Sequence, residues 1–178
     1  MIIGLSGYAQ SGKNTVAGIL IGLHKYQNRA YADAIRDAVY SLNPVIKEGF
    51  TVQSIVNAYG WENSKVTFPE IRRLLQVMGT EVGRSMFGEN VWVDKAMEGL
   101  EITDRIVFTD VRFPNEALAI KQMMGEVWRI ERPGVLAVNT HVSEHALDTW
   151  NFDAVIQNSE GVDGLIRKVE RLVSSYVL

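Results

Sequence analysis

Residues 1–15 combine a short apolar run, a glycine-rich loop and the beginning of a helical pattern. Residues 1–6 (MIIGLS) have the length and composition of a buried strand, and residues 13–26 (KNTVAGILIGLHKY) have helical length and an apolar face. The loop between them, Gly7 to Lys13, fits the pattern G-x-x-x-x-G-K. Glycines let successive N–H groups point at one spot, and a helix N-terminus adds partial positive charge. This order therefore predicts a phosphate-binding site.

The residues around the second loop glycine indicate how a nucleoside triphosphate would be held. Lys13 is expected to reach the β and γ phosphates as a mobile point charge. Position 14 is Asn, where a Ser or Thr usually assists Mg²⁺, and Thr15 follows directly. The stretch Gly-Lys-Asn-Thr is similar to the Gly-Lys-Gly-Thr of adenylate kinase and its relatives, in which the hydroxyl also comes one residue later. An ordinary glycine-rich turn is the alternative. The predicted ATP-binding residues of this segment are Gly7, Ala9, Gln10, Ser11, Gly12, Lys13, Asn14 and Thr15.

Strand and helix patterns alternate along the chain, and no repeat or Pro/Gly/Ser-rich linker divides it. The predicted strands are 1–6, 29–32, 105–109, 126–130 and 153–157. The predicted helices are 13–26, 33–42, 69–87, 114–124 and 162–177, and residues 45–68 receive no assignment. Such alternation implies right-handed βαβ units. The sequence therefore predicts an α/β fold of three layers, with a mainly parallel five-stranded sheet and helices on both faces.

Composition narrows the function classes. The chain has 178 residues, of which 47% are hydrophobic and 22% charged, as expected for one globular domain. There is no cysteine, which excludes thiolate metal sites and cysteine nucleophiles, and the three histidines are scattered, so no tightly bound metal site is expected. The net charge of −3 argues against a nucleic-acid partner. The chain shows neither a membrane-spanning apolar stretch nor a secretory signal, so a cytoplasmic protein is expected.

Charged residues follow the predicted strand 105–109 directly. Asp110 stands at its carboxyl end and Arg112 two residues later, where ligands bind in parallel sheets. Asp110 is suited to hold Mg²⁺ through water or to bond a sugar or phosphate group. The forked guanidinium of Arg112 suits a phosphate. A plain surface ion pair is the alternative.

A second polar group lies on the predicted helix 69–87. One face, away from most of the apolar stripe, carries Arg72, Gln76, Gly79 and Gly83, and Arg84 lies beside it. Two glycines cost helix stability, so they are expected to permit a close approach by another group. A face of Arg, Gln and Gly suits a monophosphate and a base edge, and a solvated face with packing glycines is the alternative. Trp92 offers a flat surface for a nucleobase, with a core aromatic as its alternative.

These segments together give the chain a family resemblance over nearly its whole length. It resembles the deoxynucleoside monophosphate kinases of tailed bacteriophages, within the P-loop nucleoside monophosphate kinase superfamily. The most specific segments are Gly7 to Thr15, Tyr31 to Arg36, Arg73 to Gln76 with Gly79-Thr80-Glu81 and Arg84, Asn90 to Val93, and Asp110 to Glu116. The resemblance implies a P-loop kinase fold and ATP- and Mg²⁺-dependent phosphorylation of deoxynucleoside monophosphates to diphosphates, in the host cytoplasm if the chain is phage-encoded.

The resemblance also implies roles for particular residues. Lys13, Arg112 and Asp110 are the expected catalytic residues, and Thr15 is the candidate metal ligand, with Asp110 acting through water. The expected substrate-binding residues are Asp33, Arg36, Arg72, Gln76, Arg84, Trp92, Asp110, Arg112 and Glu116. Mg²⁺ is expected to arrive with ATP, and ATP and a deoxynucleoside monophosphate are the expected partners.

The implied organisation is one domain, 1–178, with three parts. The core is 1–32, 100–130 and 151–178, the acceptor-binding helical region is about 33–99, and a lid-like segment is about 131–150. Lids of this kind usually bring arginines onto the transferring phosphate. Here Arg129 and Arg132 stand at its start, Arg132 is expected to contact ATP, and no further Arg or Lys follows before Arg167. Its middle holds His141, Ser143, Glu144 and His145, to which no role is given.

Two other functions stay open on the sequence alone. The first is a P-loop kinase of another small acceptor, such as dephospho-coenzyme A, for which Asp33 would supply the base that a neutral hydroxyl needs. The second is a nucleotide-binding protein without turnover, which Asn14 and the arginine-poor lid favour. A phosphate monoester needs no strong base, because its second pKa of ~6 leaves it largely ionised near neutral pH. The oligomeric state is open, a homodimer included.

Overall fold

A computed structural model describes residues 1–136 and 145–176 of the chain. Two compact units divide it. Unit 1 consists of Met1–Ala30 with Gly99–Leu178, and unit 2 is Tyr31–Glu98. The strands are β1 (Ile2–Ser6), β2 (Gln27–Arg29), β3 (Val45–Lys47), β4 (Phe50–Thr51), β5 (Ile106–Phe108), β6 (Glu126–Glu131) and β7 (Ala154–Gln157). The helices are α1 (Lys13–His24), α2 (Asp33–Leu42), α3 (Val52–Thr67), α4 (Pro69–Val77), α5 (Ser85–Phe87), α6 (Val91–Met97), α7 (Pro114–Gln122) and α8 (Gly161–Ser174), and a π-helical segment covers Met78–Arg84.

Unit 1 is built on a five-stranded sheet in the order β2-β5-β1-β6-β7. All four pairings are parallel, with Gly4 opposite Phe108 on one side and opposite Val127 on the other. β1 is central, and every residue of it is buried, which explains its continuous apolar run. The predicted α/β class and five-stranded parallel sheet are confirmed.

Helices cover both faces of this sheet, because successive side chains of β1 point in opposite directions. Ile3 and Leu5 join a buried cluster with α1 and α8, whose apolar side chains pack on the same face. Gly4 points to the other face, where an added Cβ would lie 2.5 Å from Ile120 of α7. Among the described residues, no helix is both long and apolar enough to cross a membrane.

The second strand lies closer to the N-terminus than predicted. The ladder runs over Gln27–Arg29, and the prediction of 29–32 was wrong for all but its first residue. β2 is an edge strand with exposed polar residues, so it carries no apolar signal. The apolar residues Ala30 and Tyr31 are buried outside the ladder and misled the prediction.

Unit 2 contains the chain's irregular helices. The predicted helix 69–87 is helical over its whole length, but its middle part, Met78–Arg84, is π-helical and separates α4 from α5. The unassigned stretch 45–68 forms the antiparallel pair β3 and β4, followed by α3. The Thr51 side chain caps α3 by accepting from the Ser54 N–H, and Gly60 breaks that helix with φ 71° and ψ 163°.

Candidate functional site

The loop between β1 and α1 has a backbone that few residues other than glycine adopt. Gly7 and Gly12 have φ values of 142° and 113°, and Gln10 has φ 64°. A Cβ on Gly7 would collide with the carbonyl oxygen of Ile130. Within the described residues, no side chain caps the N-terminus of α1. The first N–H groups of this helix therefore receive no capping hydrogen bond from a side chain. This geometry suits an anion held by backbone amides.

The side chain of Lys13 folds back over the loop. Its Nζ donates to the carbonyl oxygens of Gly7, at 2.6 Å, and Tyr8, at 2.9 Å. The ammonium is therefore held at the loop mouth by neutral carbonyl groups. A phosphate there would offer it a stronger, charge-assisted hydrogen bond.

Ser11 contributes a polar atom that the protein itself does not satisfy. The residue is buried, and its hydroxyl has no hydrogen-bond partner among the described residues. The hydroxyl lies inside the loop, 2.8 Å from the position a Gly7 Cβ would take. Because an unsatisfied buried hydroxyl is costly, this atom is an observation in favour of a polar ligand in the loop.

The strand order brings several functional candidates to one edge of the sheet. Asp110 follows β5, the loop follows β1, Arg132 follows β6, and Asn158 follows β7. Carboxyl ends of parallel strands meet at the same edge, where open α/β sheets bind ligands. The N–H of Val111 donates to the carbonyl oxygen of Leu5 at 3.2 Å, which ties the segment carrying Asp110 and Arg112 to β1.

A buried arginine joins the loop to the segment after β6. The Arg129 guanidinium lies 4.7 Å from the centre of the Tyr8 ring and 5.5 Å from that of Phe152. It also pairs with Asp148 at 3.4 Å, and Tyr8 donates to the same carboxylate oxygen at 3.3 Å. A cavity of about 270 Å³ lies beside this group and is lined by Tyr8, Ser11, Arg129 to Pro133, Val135 and Gln157.

His145, which belongs to the expected lid segment, also joins this group. Its Nδ1 lies 2.8 Å from Asp148 Oδ2, and its ring meets that of Tyr8 edge-on at 6.4 Å. The hydrogen bond with His145 lowers the pKa of Asp148, burial opposes it, and the Tyr8 hydrogen bond and the Arg129 charge lower it further. His141, Ser143 and Glu144 lie outside the described residues.

Glu116 has a structural contact that the resemblance did not reveal. It is 4% exposed, and its Oε2 accepts hydrogen bonds from the backbone N–H groups of Arg112, at 2.7 Å, and Phe113, at 3.0 Å. It therefore stabilises the N-terminus of α7 and fixes the backbone that presents the exposed Arg112 side chain.

In unit 2, three of the predicted substrate-binding residues belong to one charged group. Arg36 pairs with Asp33 at 3.1 Å and with Glu62 at 3.5 Å. Burial raises the pKa of Glu62, but the hydrogen bond from Lys65 and the charges of Lys65, Arg36 and Arg72 outweigh it, so the pKa lies below its ordinary value. The side chains of Arg36 on α2, Lys65 on α3 and Arg72 on α4 thus bring positive charge to the Glu62 carboxylate.

Trp92 packs on the π-helical segment. Its Nε1 donates to the carbonyl oxygen of Gly79 at 2.9 Å, and a Cβ on Gly83 would collide with the indole ring. The close approach that the two glycines were expected to permit is this one, with Ile35 also facing Gly79. Trp92 lines an open cavity of about 560 Å³ together with Ala34, Val91, Asp94, Lys95 and Glu98. Gln76 is exposed on α4, and Arg84 is half-buried in the π-helical segment.

The structure brings forward residues that sequence reasoning passed over. Tyr8, Asp148 and Asn158 all contact the loop or its surroundings. Asn158 alone had a usable signal, as a polar residue directly after a parallel strand. Across residues 1–136 and 145–176, no three His, Cys, Asp or Glu side chains gather as a metal site.

A family model and the curated relatives indicate one family. The family model described as deoxynucleotide monophosphate kinase matches residues 48–169. A protein of Acanthamoeba polyphaga mimivirus, assigned to that activity, is 30% identical over 92% of this chain and 91% of its own length. The deoxynucleotide monophosphate kinase of Escherichia phage RB69 is 30% identical over a match that covers 58% of this chain and 44% of the phage protein. The solved shikimate kinase of Aquifex aeolicus is similar with a TM-score of 0.47 at 13% identity, covering 99% of this chain and 98% of that one.

Proposed function

The chain belongs to the deoxynucleotide monophosphate kinase family, and we propose that it transfers the γ-phosphoryl group of ATP to a deoxynucleoside monophosphate. The products are ADP and the deoxynucleoside diphosphate. The observation that carries the proposal is a kinase-family match combined with a loop whose Lys13, unsatisfied Ser11 hydroxyl and uncapped helix N-terminus are suited to a triphosphate.

The donor phosphates bind the loop between β1 and α1. Backbone N–H groups of the loop and of the first turn of α1 donate to the phosphate oxygens, as does the Ser11 hydroxyl. Lys13 exchanges its bonds to the Gly7 and Tyr8 carbonyls for the β and γ phosphates. A phosphate oxygen offers the ammonium a stronger, charge-assisted hydrogen bond than either of these neutral carbonyls.

Thr15 and Asp110 are the residues that would hold Mg²⁺, with Asp110 acting through water. Their oxygen atoms fit a hard cation that keeps most of its waters and takes its other ligands from ATP. When bound, the ion neutralises charge on the β and γ phosphates.

Arg112 binds the phosphate of the acceptor. The Arg112 guanidinium holds the acceptor phosphate in two parallel hydrogen bonds, and its backbone is fixed by Glu116. Arg72, Arg36 and Arg84 contribute further positive charge, and Asp33, Gln76 and Trp92 contact the nucleoside. The acceptor phosphate is already largely ionised near neutral pH, so transfer needs positioning and charge stabilisation rather than a strong base.

The lid expected at about 131–150 lies in part outside the described residues, which include its start, 131–136, and its end, 145–150. Arg132 contacts ATP from the start of this segment, beside the cavity next to Ser11. Arg129 is already engaged with Asp148 and Tyr8, so it serves the protein rather than the phosphates.

A screen for acceptor-dependent ADP release tests this proposal. The purified chain is incubated with Mg·ATP and, separately, with dAMP, dCMP, dGMP, dTMP, the ribonucleotides and dephospho-coenzyme A. We expect ADP release that depends on at least one deoxynucleoside monophosphate. Release with only another acceptor would move the chain to a different kinase activity, and ATP binding without release would make it a nucleotide-binding protein.

A further inference from the structure

Asn158 makes a direct contact with the backbone of the phosphate loop. Its Nδ2 donates to the backbone carbonyl oxygen of Ser11 at 2.9 Å. That carbonyl belongs to the peptide whose N–H is on Gly12, so the contact sets the tilt of this peptide plane. In a trans peptide the C=O and N–H groups point in opposite directions, so holding the Ser11 carbonyl also fixes the direction of the Gly12 N–H.

The segment that carries Asn158 is itself fixed on both sides. Its N–H donates to the carbonyl oxygen of Glu131 at 2.7 Å, which continues the pairing of β7 with β6. Lys168 of α8 donates to the carbonyl oxygen of Gln157 at 2.8 Å and pairs with Glu160 at 2.7 Å. The Asn158 side chain therefore extends from a rigid turn between β7 and α8.

Gly12 and Asn158 fit each other closely. A Cβ on Gly12 would lie 2.5 Å from Asn158 Nδ2, well inside van der Waals contact. Gly12 is thus required for two reasons, its φ of 113° and the space that the Asn158 amide occupies. Gly12 is also the N-cap of α1, so this contact lies where the loop meets the helix N-terminus.

We infer that Asn158 is a positioning residue that preorganises the phosphate loop for ATP through the Ser11 carbonyl. The inference rests on the proposed function, since it takes the loop as the ATP site. Asn158 touches no reacting atom in this role. Its loss lowers affinity for ATP, because the free loop then samples orientations of the Ser11–Gly12 peptide that cannot bind phosphate.

Steady-state kinetics and calorimetric ATP titration of Asn158→Ala and Asn158→Asp test this inference. Asn158→Ala should raise the KM and Kd for ATP roughly 5- to 10-fold, the size of one hydrogen bond. The KM for the deoxynucleoside monophosphate should change less than about twofold, because the acceptor does not touch this loop face. Asn158→Asp keeps the size of the side chain but removes the donor and adds a negative charge, so a loss of about 10-fold or more is expected.

Asn63→Ala is the matched control. Asn63 also donates from its amide to one backbone carbonyl, that of Tyr59 at 3.1 Å, but on an exposed helix in unit 2. It should leave ATP affinity unchanged. The inference is overturned if folded Asn158→Ala and Asn158→Asp bind ATP as the wild type does, or if both substrates lose affinity equally.

A double-substitution cycle gives a second readout. Gly12→Ala is strained by its φ in either background, but only the wild-type background adds the clash with Asn158 Nδ2. The drop in melting temperature caused by Gly12→Ala should therefore be smaller in Asn158→Ala than in wild type, and equal drops would contradict the contact. If the wild type shows no transfer to any acceptor, the proposed function fails, while ATP titration still decides the role of Asn158.

Discussion

The indole N–H of Trp92 donates a 2.9 Å hydrogen bond to the carbonyl oxygen of Gly79. Gly79 lies about one π-helical turn before Gly83, the glycine on which the indole ring packs. A π-helical turn leaves carbonyl groups out of the regular α-helical ladder, and here one of them accepts from the indole. Gly83 supplies the second half of the contact, since any Cβ there would meet the ring. The two glycines and the tryptophan therefore form one packing unit beside the cavity of unit 2.

Gly83→Ala is expected to destabilise the protein by ~1–3 kcal/mol, the usual cost of overpacking a close contact. The added methyl group must displace the indole, so near-ultraviolet circular dichroism should change as well. Urea unfolding checks the first effect. Gly22→Ala is the control, since Gly22 lies exposed in α1 with nothing within 4 Å of an added Cβ. That variant should be neutral or stabilising by up to ~1 kcal/mol, and equal effects at the two glycines would contradict the packing account.

Lys13→Ala is expected to lower kcat by at least ~10²–10³-fold, the usual effect of removing a group that stabilises charge in a transition state. The fold should survive, because the two hydrogen bonds from Lys13 to the Gly7 and Tyr8 carbonyls lie within the loop and outside the buried core. Steady-state ADP release measures the rate, and circular dichroism reports the fold. Lys47→Ala, an exposed lysine on β3, should turn over normally. Near-normal turnover by folded Lys13→Ala would remove Lys13 from the proposed mechanism.

Arg112→Ala is expected to raise the KM for the deoxynucleoside monophosphate by roughly 10- to 100-fold, as the loss of charge-assisted hydrogen bonds to a phosphate predicts. The Kd for ATP should stay within about threefold. Titration of each substrate separates the two effects, with the exposed Arg171→Ala as an inert comparison. Equal weakening of both substrates would argue against an acceptor role for Arg112.

The pH dependence of stability should report the Asp148 contacts. The pKa of Asp148 lies below its ordinary value of 3.8 through the hydrogen bond with His145, with Tyr8 and Arg129 adding to the effect. A carboxyl whose pKa is lowered by folding contributes stability that is fully present above its ordinary pKa and is lost as the pH falls through the lowered value. The melting temperature of the wild type should therefore fall toward that of Asp148→Asn as the pH drops below 3.8, through the lowered pKa. A difference between the two proteins that does not change with pH would contradict this.

The parts of the fold that were predicted correctly carry strong local signals. β1 is buried on both faces and so is continuously apolar. The loop after it has positive φ at Gly7 and Gly12, a conformation that favours glycine, and this is why the glycine pattern in the sequence identified the loop. The sheet prediction failed at β2, where an edge strand with polar residues has no apolar period to detect. The π-helical turn inside 69–87 was also not predicted, because the packing of Trp92 on Gly79 and Gly83 that accompanies it is a tertiary contact.

The site shows the same division. Lys13 and Asp110 could be proposed from their places after β1 and β5, since strand ends are readable from the sequence. The contacts of Glu116 with the backbone of Arg112, and of Asn158 with Ser11, depend on tertiary placement. Arg129 illustrates the limit: its sequence position indicated no role beyond its place at the start of the expected lid, and only the structure shows its guanidinium buried against Tyr8 and paired with Asp148.

Phosphorus NMR of the reaction mixture tests the central claim most directly. The purified chain is mixed with Mg·ATP and a deoxynucleoside monophosphate, and the phosphorus signals are followed with time. Direct transfer predicts equal amounts of ADP and deoxynucleoside diphosphate, with little inorganic phosphate and no reaction in Lys13→Ala. Formation of ADP and inorganic phosphate without a deoxynucleoside diphosphate, for every deoxynucleoside monophosphate tried, would contradict it.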